Sequence, residues 1–97
     1  MVAKKKVELI PVLVTTQHRG VFFGHADSSK LAERTIVLGR CRCCISWSAS
    51  VGGFLGLAKV GPNKDCKIGT EAPEVLLHDV TSVTKCAGEA VEAWTKA

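Results

Sequence analysis

Residues 7–16 alternate loosely between apolar and polar positions and are rich in β-branched side chains. Because a strand with one buried face alternates in this way, we expect a strand here, then a turn at 17–20 and a second strand over 21–23. Proline has no N–H to donate to a ladder, so Pro11 restricts the first strand to an edge of the sheet or to a bulge. The pattern therefore predicts a β-hairpin.

After this hairpin, polar stretches separate several runs of β-branched and apolar residues. The polar stretch 27–33 is expected to hold one helical turn. Strands are predicted at 35–38, 41–47, 66–68 and 75–86. Gly39 and Arg40 form a turn or a bulge between the first two of these strands. The last is either one long strand or two short strands broken near His78 and Asp79.

Two stretches fit the spacing of a helix. The first has apolar residues at Val51, Phe54, Leu55 and Ala58. Ser50 is its predicted N-cap, and Gly61 followed by Pro62 is a stop signal. The second has apolar residues at Ala87, Ala90, Val91 and Trp94. We expect this second helix to lay its Trp94 face on the sheet.

These elements predict an α+β fold, with a mostly antiparallel curved sheet or small open barrel, a short inner helix and a C-terminal amphipathic helix. Of the 97 residues, 46% are hydrophobic and 23% are charged, which suffices for one core and is unlike the composition of a disordered chain. We therefore expect a single domain over residues 1–97, with a disordered basic tail at 1–6.

The formal net charge of +4 is modest, and most of the excess comes from two groups of basic residues. The groups are Lys4, Lys5 and Lys6, and Arg34, Arg40 and Arg42. A dedicated nucleic-acid binder carries a denser basic stripe, so a solvated face is the favoured interpretation. Weak nucleic-acid binding through these residues stays open as an alternative.

The five cysteines are an odd number, and Glu8 and Pro11 interrupt the apolar run that a signal sequence or a membrane span would need. We therefore expect free thiols in a reducing cytoplasm. Zinc sites commonly use two C-x-x-C pairs, whereas this sequence has that spacing only once, between Cys41 and Cys44. Alternation along a strand puts Cys41 and Cys43 on one face and Cys44 on the other. The sequence predicts no metal and no cofactor.

No nucleophile signature or paired-carboxylate pattern identifies a catalytic site. The prediction is therefore a non-catalytic protein, with an enzyme left open as an alternative. In that alternative, Cys43 or Cys44 is the nucleophile of a small enzyme that acts on a nucleotide or a thiol.

Residues 47–54 offer the most specific binding chemistry in the chain. If a strand ends near Trp47 and a helix begins near Gly52, free backbone N–H groups converge there and favour an anion. Arg19 or Lys59 could add positive charge, and an exposed Trp47 could stack on a base. The predicted ligand-binding residues are Arg19, Trp47, Ser50, Gly52, Gly53 and Lys59. A purely structural role, with glycines for close packing and a capping serine, stays open.

Three strings carry a family resemblance, namely Arg19–Gly24, Cys44–Trp47 and Gly53–Ala58. With them, most of residues 7–96 resembles a family of small proteins of unknown function encoded by tailed phages and prophages. These strings are turn and core signals and carry no chemistry. The resemblance implies an accessory protein that acts by binding. Together with the small size, the missing catalytic constellation and an edge strand available for pairing, it leads us to expect a homo-oligomer in the host cytoplasm. Its partner would be a host protein, which it inhibits or sequesters, or a small phosphorylated ligand such as a defence-signalling nucleotide.

Overall fold

The computed structural model describes residues 8–17, 20–47 and 52–97. Its elements, in chain order, are β1 (Leu9–Thr16), β2 (Val21–Asp27), a 3₁₀ turn (Ser28–Lys30), β3 (Ile36–Ser46), α1 (Gly53–Lys59), β4 (Lys67–Ile68), β5 (Ala72–Leu77), β6 (Val80–Lys85) and α2 (Gly88–Lys96). The strands form an open sheet with antiparallel pairing throughout the described ladders, in the order β4-β3-β2-β1-β6, and β5 also pairs with β3. The predicted α+β fold is confirmed.

The connection between β5 and β6 requires the sheet to curl. In a flat sheet these two strands would be four strand spacings apart, roughly 19 Å. The chain from Leu77 to Val80 spans at most about 11 Å. The backbone N–H of Val80 also donates to the carbonyl of Arg34 at 2.9 Å, which ties β6 to the segment that leads into β3. Of the two alternatives for residues 75–86, two short strands broken near His78 and Asp79 are confirmed, and Asp79 has a φ of 55°.

The expectation that Pro11 marks an edge strand or a bulge is wrong. β1 lies inside the sheet between β2 and β6, and the irregularity in its ladder with β6 is at Thr15 and Thr16 instead. The carbonyl of Pro11 accepts from the N–H of Cys86 at 3.1 Å, one residue beyond β6. In an antiparallel sheet, each residue of an inner strand forms its backbone hydrogen bonds with one neighbouring strand, and the next residue forms them with the other. The position at which Pro11 lacks an N–H therefore faces β6, at the residue where the pairing of β1 with β6 ends.

A bulge at Arg40 makes one continuous strand of the two predicted between 35 and 47. Phe23 pairs with Arg42 while His25 pairs with Gly39, so β3 has one residue more than β2 across this step. Arg40 has a φ of 50°, a left-handed conformation that suits the extra residue of a bulge. The bulge alternative is therefore confirmed, and the two halves of β3 change their alternation at this point.

The concave face of the sheet carries one core. Its buried members are Val12, Val14, Ala26, Ile36, Leu38, Cys41 and Leu77. Val80 and Val83 of β6 pack against it, so both outer ends of the curled sheet contribute. Gly24 lies in this layer, where an added Cβ would come within 2.8 Å of the Cβ of Leu38. The absence of a side chain at Gly24 thus lets β2 and β3 pack closely.

The two helices cover half of the convex face. Trp94 of α2 is fully buried and stacks on Phe23 of β2, with ring centroids 5.0 Å apart and planes 5° from parallel. Its Nε1–H donates to the carbonyl of Leu57 in α1 at 3.0 Å. One indole therefore joins α2, α1 and the sheet, which confirms the expected contact of the Trp94 face.

The start of α1 differs from the expectation. The N-cap position is Gly52 and not Ser50, and no side chain among the described residues caps the helix. Gly52 and Gly53 have φ values of 82° and 75°, which side chains rarely tolerate, so the entry into α1 depends on glycine. The predicted stop is confirmed, because Gly61 has a φ of 83° and its N–H donates to the carbonyl of Gly56.

No helix within the described part of the chain combines the length and apolar composition needed to cross a bilayer.

Candidate functional site

The half of the convex face that the helices leave uncovered displays three large aliphatic side chains. Leu9 of β1 is 58% exposed, Val37 of β3 is 46% exposed and Leu76 of β5 is 52% exposed. Val37 and Leu76 are direct cross-strand partners, and Leu9 is opposite Asp27 of β2. Exposed aliphatic residues on β1, β3 and β5 of one sheet form a patch of the kind that marks interaction surfaces.

A cleft runs through this patch because one strand position lacks a side chain. In a row across the sheet, His25 pairs with Gly39 and Gly39 pairs with Glu74. A Cβ added at Gly39 would have only the carbonyl of His25 nearby, at 3.8 Å. The space above Gly39 belongs to a cleft of about 370 Å³ that these residues line together with the three aliphatic side chains. We call it the strand-face cleft.

His25 forms part of the cleft wall and carries an unpaired polar atom. Its ring contacts Phe23 edge to face, with centroids 5.6 Å apart, at the border between the covered and uncovered halves of the face. Its Nδ1 is buried and has no hydrogen-bond partner among the described residues. An unpaired buried polar atom costs about 1–3 kcal/mol, and such costs are often found at functional sites.

Charged side chains surround the apolar floor. Asp27, Glu33 and Glu74 line the cleft with one basic residue, Lys30. Asp27 is held in place because its Oδ1 accepts from the N–H and the hydroxyl of Ser29, at 2.9 and 2.7 Å. The cleft therefore combines aliphatic surface with an excess of carboxylates, a composition suited to recognising another protein surface.

The residues predicted to bind a ligand are located elsewhere. Trp47 is 36% exposed and, with Phe54 of α1, lines a second, mainly apolar cleft of about 420 Å³. Gly52 and Gly53 form the entry into α1. Lys59 is in the last turn of α1, six residues after Gly53 and so roughly 9 Å along the axis.

Two further predicted ligand residues, Arg19 and Ser50, lie outside the described residues. The phosphate site proposed for this region stays a prediction, and the structure does not bring Lys59 to the N-terminus of α1.

Cys41 and Cys44 of β3 point to opposite faces of the sheet, as predicted. Cys41 belongs to the concave core and Cys44 to the layer under the helices. Burial raises the pKa of Cys41, Cys44 and Cys86 to about 11, and it also raises the pKa of Cys43. Thiols with raised pKa values are poor nucleophiles at neutral pH, which gives the thiol-enzyme alternative little support. In the described segments, no three metal-ligating side chains are grouped so as to hold a metal ion.

The arginines proposed for nucleic-acid binding are partly occupied by the fold. Arg42 is half-buried and donates from Nη1 to the carbonyl of Trp94 at 3.1 Å, near the end of α2. Arg40 pairs with Glu71 at 3.5 Å on the surface. Residues 4–6 lie outside the described residues. The nucleic-acid alternative therefore stays a prediction.

Comparison with known families adds a relationship but no activity. The sequence profile of the domain of unknown function DUF6948 matches residues 9–94, from the first residue of β1 into the last turns of α2. The chain belongs to the DUF6948 family. Neither a curated protein nor a solved structure matches it. Membership in this family therefore places the whole sheet and both helices in one shared domain and leaves its function to the site.

Sequence reasoning missed the strand-face cleft because its residues are far apart in the chain. One signal was available in the run Ile36–Leu38, where three consecutive apolar residues must point Val37 to the face opposite its two neighbours. Which half of that face the helices cover depends on tertiary contacts, above all on the position of Trp94.

Proposed function

We propose that this domain is a non-catalytic binding protein that contacts a partner protein through the strand-face cleft. The observation that carries the proposal is the row of exposed aliphatic side chains at Leu9, Val37 and Leu76 on the uncovered half of the sheet. The open space above Gly39 and the unpaired Nδ1 of His25 support it. An exposed apolar patch rimmed by polar residues is a common mark of a protein interaction site.

The biological setting follows from the resemblance to tailed-phage and prophage proteins. In that setting the partner is a protein of the bacterial host, and the domain inhibits or sequesters it in the host cytoplasm. We also propose that the protein acts as a homo-oligomer, for which β6 is a suitable element because it pairs with β1 alone among the described strands.

Filling the cleft tests the proposal. Gly39→Val adds a side chain above the strand without straining the backbone, since the nearest atom to its Cβ is 3.8 Å away. Gly88→Val is a matched control, because an added Cβ at Gly88 meets nothing within 4 Å and Gly88 begins α2. The tagged wild-type protein and both variants are used to capture proteins from a lysate of the host, and the captured proteins are compared by quantitative mass spectrometry.

We expect the wild type and Gly88→Val to retain at least one host protein in equal amount. Gly39→Val should reduce the captured amount of that protein roughly tenfold, which corresponds to about 1.4 kcal/mol of lost binding free energy. Equal capture by Gly39→Val and the control, with circular dichroism showing that both are folded, would rule out the cleft as the binding surface.

A further inference from the structure

The charge of the strand-face cleft is opposite to that of the chain. Three carboxylates, on Asp27, Glu33 and Glu74, and one ammonium group, on Lys30, give its lining a formal charge of −2. The whole chain has a formal net charge of +4. Three of the nine acidic residues of the chain therefore line this one cleft, although basic residues outnumber acidic ones overall.

Two of the carboxylates come from different elements. Glu74 is on β5, directly across from Gly39. Glu33 is on the connection between the 3₁₀ turn and β3 and also lines the cleft. Both residues are exposed, and the ion pair that the described residues form nearby, Arg40 with Glu71, involves neither of them. Two carboxylates outside that ion pair thus line a cleft that an aliphatic side chain can enter.

We propose that the strand-face cleft takes a protein segment in which an aliphatic side chain is flanked by lysine or arginine. This inference rests on the proposed function and specifies the class of partner. The aliphatic side chain enters the space above Gly39 and contacts Val37 and Leu76, while the basic side chains reach Glu33 and Glu74. An acidic segment, or a nucleic-acid backbone, would place like charges against the carboxylates and be rejected.

Rim charges contribute more to selectivity and association rate than to affinity. The appropriate measurement is therefore discrimination between two probes. We choose two fluorescein-labelled decapeptides with the same central Leu-Val pair, one flanked by lysines and the other by glutamates, and follow their binding to the full chain by fluorescence anisotropy at low and high salt.

Two sets of variants separate charge from cavity. The double substitution Glu33→Gln with Glu74→Gln removes two charges from the cleft, and Glu89→Gln with Glu92→Gln removes the same number from the exposed surface of α2. Gly39→Val fills the cavity and keeps its charges.

We expect the wild type to bind the lysine peptide roughly tenfold more tightly than the glutamate peptide at low salt. That ratio should fall at high salt and in the cleft double variant, and it should be retained in the α2 double variant. Gly39→Val should weaken binding of the lysine peptide at both low and high salt.

Equal binding of the two peptides, or the same loss of discrimination in both double variants, would overturn the charge assignment. If Gly39→Val still reduced host-protein capture roughly tenfold, the proposed function would survive that failure. Binding of the lysine peptide that is insensitive to Gly39→Val, or no binding of either peptide up to about 1 mM, would also overturn the inference. Sedimentation of the protein alone supplies one further outcome, since a dimer lost in Gly39→Val would make the occupant a second copy of the chain and refute a basic partner segment.

Discussion

Replacing Trp94 with phenylalanine should destabilise the domain by far more than the same replacement at the other tryptophan, Trp47. Trp94 is fully buried, stacks on Phe23 at 5.0 Å and donates from Nε1 to the carbonyl of Leu57 at 3.0 Å. Trp94→Phe keeps an aromatic ring over Phe23. It removes the indole N–H and leaves part of the buried volume empty.

The magnitude follows from these two losses. The Leu57 carbonyl loses its indole donor, which costs about 1–3 kcal/mol in a buried place. The missing ring atoms leave a cavity that adds about 1 kcal/mol at the usual cost per unit of cavity volume. A total of about 2–4 kcal/mol is a large fraction of the 5–15 kcal/mol, roughly, that stabilises a domain of this size. The melting temperature should fall by roughly 10–25 °C.

Thermal and urea denaturation followed by circular dichroism measure the effect. Trp47→Phe is the matched control, because Trp47 is 36% exposed, and it should change the free energy of unfolding by no more than about 0.5 kcal/mol. Equal changes in the two variants, or a change below about 0.5 kcal/mol for Trp94→Phe, would refute the role assigned to Trp94 in joining the two helices to the sheet.

Three further predictions check the same structure. Gly24→Ala should lower the free energy of unfolding by about 1–3 kcal/mol in urea denaturation, because the added Cβ would lie 2.8 Å from the Cβ of Leu38. Gly39→Ala, whose Cβ would have its nearest neighbour 3.8 Å away, should be neutral or slightly stabilising. Because burial raises the pKa of Cys41 and Cys44 from 9.0 to about 11, the unfolded chain loses these protons first. Stability should therefore be unaffected by these thiols below pH 9 and fall as the pH rises toward 11; a flat urea midpoint across that range would contradict their burial. His25→Phe removes the unpaired Nδ1 and should leave the melting temperature unchanged or raise it. If the free energy of unfolding fell by more than about 1 kcal/mol, Nδ1 would have a partner in the free protein.

Local signals in the sequence predicted most of the secondary structure. The β-hairpin, the break at Asp79 and the stop at Gly61 all depend on turn residues or on short-range alternation, which act within a few positions of the chain. The helix carrying Trp94 was predictable for the same reason, since its apolar residues repeat at helical spacing.

Two expectations were wrong, one about the position of a strand in the sheet and one about the start of a helix. Pro11 looked like an edge residue because proline cannot donate to a ladder, yet the structure places it where the pairing of β6 with β1 ends. Ser50 looked like a cap because of its side chain, but the φ values of Gly52 and Gly53 place the start of α1 later. The position of Pro11 depends on pairing with β6, a strand far away in the chain, whereas Gly52 and Gly53 were a local signal for the start of α1.

The candidate site was the part least accessible to sequence reasoning. Leu9, Val37 and Leu76 each fit a strand with an apolar residue on one face, and nothing local distinguishes a covered face from an open one. That difference is set by the curl of the sheet and by the docking of α1 and α2, which together cover Phe23 and leave His25 at the border.

Site-specific photo-crosslinking tests the central claim most directly. A benzoyl-phenylalanine is placed at Leu76, in the strand-face cleft, or at Leu55 of α1, which is 59% exposed and lies outside the cleft. After irradiation in a host lysate, we predict that the Leu76 probe forms a covalent adduct with a partner protein, that Gly39→Val abolishes the adduct, and that the Leu55 probe forms none. Adducts from Leu55 with none from Leu76 would place the binding surface on α1 and contradict the account.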